Sequence, residues 1–114
     1  MPEHRAAHPE DLEALVELEH RLFDRPWGRE QLFALIARAD VQLEVATSSG
    51  EVVAYCVVRG VGPEAELDRI GVAPEERRRG WGSDLLRAVM ERAWARGVER
   101  VHLEVGAENR AARA

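Results

Sequence analysis

The segment Arg77-Arg78-Arg79-Gly80-Trp81-Gly82-Ser83 gathers three guanidinium groups and two glycines just ahead of a helical pattern, in a chain of formal charge −5. The first turn of a helix presents N–H groups without intrahelical acceptors, together with the positive end of the macrodipole. Such a junction favours anions, phosphate among them. Gly80 and Gly82 permit close backbone approach, and the arginines add charge-assisted hydrogen bonds. Three arginines alone could equally be a basic cap on a solvated helix end. The flanking residues shift the reading towards a pyrophosphate cradle: the apolar run Ile70-Gly71-Val72-Ala73-Pro74 leads into the loop and Leu85-Leu86 leads out of it.

Two better-known nucleotide loops do not fit. The chain contains no Gly-x-x-x-x-Gly-Lys-Ser/Thr segment, which argues against a P-loop. Gly60-Val61-Gly62-Pro63-Glu64-Ala65 matches a loose Gly-x-Gly-x-x-Ala pattern, but acidic, alternating residues follow it rather than a helix. It reads as a turn between strands. The four histidines show no metal-ligand spacing, so no metal is expected. Cys56, inside an apolar run, reads as a small buried hydrophobe. Glu104, taken by itself, reads as a surface acid on the polar face of a strand, and Glu66 and Asp68, which share a face of another strand, are alternative candidates for a base. Equally, Glu66 and Asp68 could be solvated or paired with Arg69, and His102 could be packed or exposed.

The elements that must position these residues are legible from periodicity. An edge strand is expected at Glu3 to Ala6. Pro9-Glu10-Asp11 opens a helix whose stripe is Leu12, Leu15, Val16, Glu19, Leu22 and Phe23, running to about Asp24. Arg25-Pro26-Trp27-Gly28 breaks it, and a second helix follows with Leu32, Leu35 and Ile36 inward, ending near Ala39. Gln42 to Thr47 alternates as a strand, Ser48-Ser49-Gly50 turns, and Glu51 to Arg59 is a strand covered on both faces. Glu66 to Val72 is the next strand, antiparallel to the one before it. Leu85, Leu86, Val89, Met90, Ala93 and Trp94 then recur at helical spacing, with Gly97 as the stop. Val98 to Val105 reads as a final strand, with Val101, Leu103 and Val105 on one face and His102 and Glu104 on the other. Strand, crossover helix and strand imply a parallel, right-handed unit, so the basic loop stands at the carboxyl end of a strand.

The 114 residues are enough for one domain and one core, spanning 1–114. Hydrophobic residues at 46% and charged residues at 32% describe a globular chain rather than a disordered one. The acidic balance argues against a broad nucleic-acid surface and suits a cationic acceptor such as an amine. No run is long and apolar enough for a membrane helix, no signal peptide is visible, and the single cysteine favours a cytoplasmic setting.

Taken together, Ile70-Gly71-Val72-Ala73-Pro74, Arg77-x-x-Gly80-x-Gly82 and Leu85-Leu86 resemble the acetyl-coenzyme A motif of the GNAT superfamily of N-acetyltransferases. Leu18-Glu19, Phe23, Pro26-Trp27 and Leu103-Glu104-Val105 with Asn109 resemble its ribosomal-protein alanine N-acetyltransferase (RimI) branch. The resemblance runs from about Pro9 to Ala114 and implies an α/β fold with a mixed, mostly antiparallel sheet flanked by helices. It implies acetyl transfer from acetyl-coenzyme A to a primary amine, the N-terminal alanine of a ribosomal protein. It also implies roles: Ile70, Gly71 and Val72 along the pantetheine arm, Arg77 to Ser83 around the pyrophosphate, Asn109 on the coenzyme and Glu104 as general base. The Pro26-Trp27 loop would border the acceptor.

Departures from the family pattern accompany these matches. The family's general-acid tyrosine aligns beyond Ala114, as do most of the following helix and the last two strands, and the sole tyrosine, Tyr55, cannot take that role. The expectation is a domain incomplete at its C-terminal side, prone to self-association through the edge at Val101 to Val105 as a homodimer or aggregate. In that form it could be an impaired or non-catalytic coenzyme-binding module, or an enzyme for a small amine. Asp84 and the bulky Trp81 are unusual beside a phosphate site.

Overall fold

The structure, a computed structural model, describes residues 3–103. Five strands form one sheet in sequential order: β1 (Glu3–Ala6), β2 (Val41–Ser48), β3 (Glu51–Arg59), β4 (Glu64–Val72) and β5 (Arg100–Leu103). The first four are antiparallel to their neighbours. β5 returns parallel to β4, in register from Glu64↔Arg100 to Leu67↔Leu103. The α/β class, the mostly antiparallel sheet and the parallel crossover all match the reading from periodicity.

Helices α1 (Leu12–Leu22) and α2 (Arg29–Ala37) cover one face of the sheet, and α3 (Trp81–Ala95) covers the other. Alternation along the central strands feeds both layers. Val45, Tyr55 and Val57 meet Leu15, Leu22 and Leu32 on one side, while Ala54, Cys56 and Val58 meet Leu85, Val89 and Ala93 on the other. β3 is therefore buried on both faces, which is why its sequence is nearly continuous in apolar residues.

Trp94 departs from expectation: it is 56% exposed rather than packed. Leu85, Val89 and Ala93 set the buried line of α3, and at about 100° per residue Trp94 lies roughly 140° from its centre. The run Leu86, Met90, Trp94 thus winds off the sheet.

A second departure matters more. β4 carries a bulge: Val57 pairs with Arg69 and Val58 with Leu67, so Asp68 is the extra residue. Leu67 packs in the α3 layer, but the bulge transfers Arg69 to the α1–α2 side, where it meets Glu19. Without it, Leu67 and Arg69 would share a face.

Cys56 is fully buried in the α3 layer, and burial, with the nearby Glu44 charge, pushes its thiol up to about 12. Iodoacetamide at pH 8 is expected to leave Cys56 unmodified in the folded protein and to alkylate it fully in denaturant, read by intact mass. Rapid labelling under native conditions would contradict this packing.

Candidate active site

The basic loop leads from the end of β4 into the first turn of α3. After Val72 the chain makes a short turn at Pro74–Glu76 and then takes positive φ at Arg78 (68°) and again at Gly80 (82°). Left-handed residues in close alternation are characteristic of concave backbone N–H nests that bind anions. Gly80 is the N-cap of α3 and provides no side-chain cap; the first helical bond is Asp84 N–H to Gly80 O, 2.9 Å. The N–H groups of Trp81, Gly82 and Ser83 therefore precede the first intrahelical acceptor.

Val72, Arg77, Arg78, Gly80, Trp81, Gly82 and Ser83 line a cavity of about 400 Å³ together with Glu76. Arg77 Nε is buried with no protein partner, a donor an anion would satisfy. A Cβ at Gly82 would stand 3.3 Å from Val72 Cγ2, so the first turn of α3 lies tightly against the end of β4. The buried donor, the bare helix end and this close approach fit a diphosphate. Arg79 is largely exposed and pairs with Glu76 at 3.3 Å.

Asp84 is not among the residues lining the cavity; its Oδ1 approaches Arg87 at 3.7 Å, while its Oδ2 stands 3.8 Å from where a Cβ at Gly80 would lie. Glu76 does. Its Oε1 accepts from Trp81 Nε1 (3.1 Å) and Arg79, which gives Trp81 a definite position in the loop. Glu76→Gln keeps an oxygen acceptor while removing a charge that would face the diphosphate. Two like charges about 4 Å apart in water repel by about 1 kcal/mol, so coenzyme A should bind roughly fivefold more tightly to this variant in a calorimetric titration. Weaker binding would show that the carboxylate organises the loop more than it opposes the ligand.

Ile70, Gly71 and Val72 occupy the carboxyl end of β4, directly before the cradle. Gly71 has a packing reason to lack a side chain: a Cβ there would come within 2.8 Å of Leu22 Cδ1 and 2.9 Å of Tyr55 Cε1. Glu104 and Asn109 lie outside the described residues. Glu66 and Asp68 pair with Arg59 rather than with Arg69: Arg59 Nε donates to Asp68 Oδ2 at 2.8 Å and its NH2 group reaches Glu66 Oε2 at 3.4 Å. Arg59 stands opposite Glu66 in the ladder, and the bulge carries Arg69 under α1. His102 is exposed and 2.8 Å from Glu64. Among the described residues no group of His, Cys, Asp and Glu is arranged to hold a metal ion, and no helix is long and apolar enough to cross a membrane.

Reading the sequence missed a polar cluster between β4 and α1. Glu19 is fully buried on the apolar stripe of α1. Its carboxylate accepts from Tyr55 OH (2.5 Å), from Trp27 N–H (2.7 Å) and from Arg69 (3.3 Å). Arg69, 8% exposed, also donates to Arg25 O at 3.0 Å and lies over the rings of Phe23 (3.9 Å) and Trp27 (4.3 Å). Burial first, then the Glu19 charge and hydrogen bond, push the Tyr55 hydroxyl far above its usual range, so it remains a neutral donor. The available signal was Glu19 itself, since a carboxylate on an apolar stripe demands partners.

A mixed sheet with a lined cavity between the end of β4 and the start of α3 is consistent with the GNAT class of acyltransferases, and comparison with known proteins shows that class. Residues 12–114 match the model of the Acetyltransferase (GNAT) family. The chain is 34% identical over 102 residues to a Salmonella typhimurium [ribosomal protein bS18]-alanine N-acetyltransferase, covering 90% of this chain and 68% of the relative. Its fold superposes on the Escherichia coli ribosomal-protein-S18-alanine N-acetyltransferase with a TM-score of 0.86 and 29% identity, over 99% of this chain and 72% of that one. In fold alone it also resembles the PaiA N-acetyltransferase of Thermoplasma acidophilum, solved with coenzyme A (TM-score 0.85, 20% identity, 99% of this chain and 84% of that one). The chain belongs to the GNAT family of N-acetyltransferases.

Proposed function

We propose that this chain transfers the acetyl group of acetyl-coenzyme A to the N-terminal alanine amine of a ribosomal protein of the bS18 type. The observation that carries the reading is the cradle: a buried, unpartnered Arg77 Nε beside a bare helix N-terminus, at the end of the strand on which the thioester would lie. The names of the 34%-identical relative and of the 29%-identical structural neighbour supply the acceptor.

In this reading the diphosphate is held by the N–H groups of the Arg78 to Ser83 turn and by Arg77. The pantetheine arm runs along Ile70 to Val72 and brings the thioester carbonyl to the end of β4. Glu104 takes a proton from the alanine ammonium or amine. The amine nitrogen attacks the carbonyl carbon, and a backbone N–H near Val72 stabilises the oxyanion. The C–N bond forms, the C–S bond breaks, and the coenzyme leaves as a thiolate; an alanine ammonium gives one proton to Glu104 before attack and the second, shed by the attacking nitrogen as the amide forms, to the thiolate. Asn109 is assigned to the coenzyme side. Cys56, buried with its thiol pushed up to about 12, is not needed as a nucleophile.

A thermal-shift titration tests the cradle. Acetyl-coenzyme A and coenzyme A should raise the melting temperature in a concentration-dependent way, and adenosine at the same concentrations should not. Equal responses to all three would remove the diphosphate from the account.

A further inference from the structure

We propose that Arg69 is a positioning residue for the acceptor: it fastens the Arg25 to Gly28 loop against the reacting strand and so sets the wall along which the amine approaches. This rests on the acetyl-transfer reading above. The cradle lies at the N-terminus of α3, so the coenzyme approaches the end of β4 from that side. The Arg25 to Gly28 loop lies on the opposite face of β4, one residue before the segment assigned to the thioester. An amine attacking from the side away from the coenzyme passes this loop.

The loop has no secondary structure of its own, because Pro26 disfavours helix at Arg25 and α2 begins only at Arg29. Its described anchors are few and converge on one cluster. Arg25 O accepts from Arg69, Trp27 N–H donates to Glu19, and the Trp27 ring lies against the guanidinium. The bulge at Asp68 delivers Arg69 to that point. The guanidinium lies over the Phe23 and Trp27 rings while one of its terminal nitrogens donates to both Glu19 and Arg25 O, and a delocalised, weakly hydrated cation stacks on rings while it bonds in a way a compact ammonium does not.

Nothing in this arrangement is the obvious choice for stability. Arg69 Nε is buried without a partner, and a buried ion pair is often replaceable by apolar residues of similar volume at little cost. What the cluster does join is the Arg25 to Gly28 loop and β4, which points to placement of the loop.

The test compares Arg69→Lys, and separately the double variant Glu19→Gln with Arg69→Met, against the parent. For Arg69→Lys the acceptor peptide KM should rise about tenfold or more, with kcat within about threefold and the coenzyme A Kd within about twofold. Amide exchange at Trp27 should accelerate by a similar factor. The double variant leaves no buried charge unpaired, so it should melt close to the parent while keeping the raised KM. An unchanged Trp27 exchange rate in Arg69→Lys, or faster exchange with an unchanged acceptor KM, overturns the proposal. Recovery of the parental KM in the double variant does so too, by making the cluster a folding element only. Should the parent acetylate a small amine and no peptide, the acceptor assignment above falls, and the KM ratio is taken with that amine.

Discussion

Glu104→Gln is expected to lower kcat for acetylation of an alanine-first peptide at neutral pH by about 10²-fold or more, since a positioned general base contributes about 10²–10⁴-fold. Coenzyme A affinity should be unchanged, because the role proposed for Glu104 is proton transfer and not diphosphate binding. Steady-state rates and a coenzyme titration on the same preparation separate the two effects. A rate within a few-fold of the parent would reassign the base. Glu66 and Asp68 are then the next candidates, although both are engaged with Arg59 and each would have to leave an ion pair to accept a proton.

Gly82→Leu is expected to abolish coenzyme-dependent stabilisation. With the Cβ position only 3.3 Å from Val72 Cγ2, a branched side chain must displace the end of β4 or fill the space assigned to the diphosphate. Either outcome removes close backbone approach. At 100 times Kd the ligand should stabilise the parent by about 2.7 kcal/mol, and that shift should vanish in the variant. Its melting temperature without ligand serves as the control for folding. A variant that keeps the full coenzyme shift would mean the loop is a helix cap and no more.

How far the sequence could be read depended on the range of the interaction involved. Pro9-Glu10-Asp11, the Arg25 to Gly28 break, the doubly covered β3 and the Leu85-Val89-Ala93 line are local patterns, and each element stands where its pattern placed it. The junction of the basic loop with α3 was legible for the same reason, since a loop and a helix start are built from consecutive residues. The Asp68 bulge has no comparable local mark. Strict alternation kept Leu67 and Arg69 on one face, and only pairing with β3 shows that they part. Arg69 therefore read as a partner for its chain neighbours, whereas its partners Glu19, Phe23, Arg25 and Trp27 come from α1 and the loop that follows it. Trp94 misled in another way: Leu86, Met90 and Trp94 each sit one residue, about 100°, beyond the buried line of Leu85, Val89 and Ala93, and the drift of the four-residue spacing carries Trp94 furthest from it.

Incubating the protein with acetyl-coenzyme A and a peptide carrying the alanine N-terminus of a bS18-type protein, followed by mass spectrometry of the product, tests the central claim most directly. The account predicts a single added acetyl group, located by fragmentation on the α-amine of the alanine, with one coenzyme A thiol released for each peptide modified. A peptide of unchanged mass, at coenzyme concentrations shown to saturate the protein, would contradict it and leave a coenzyme-binding module in place of an enzyme.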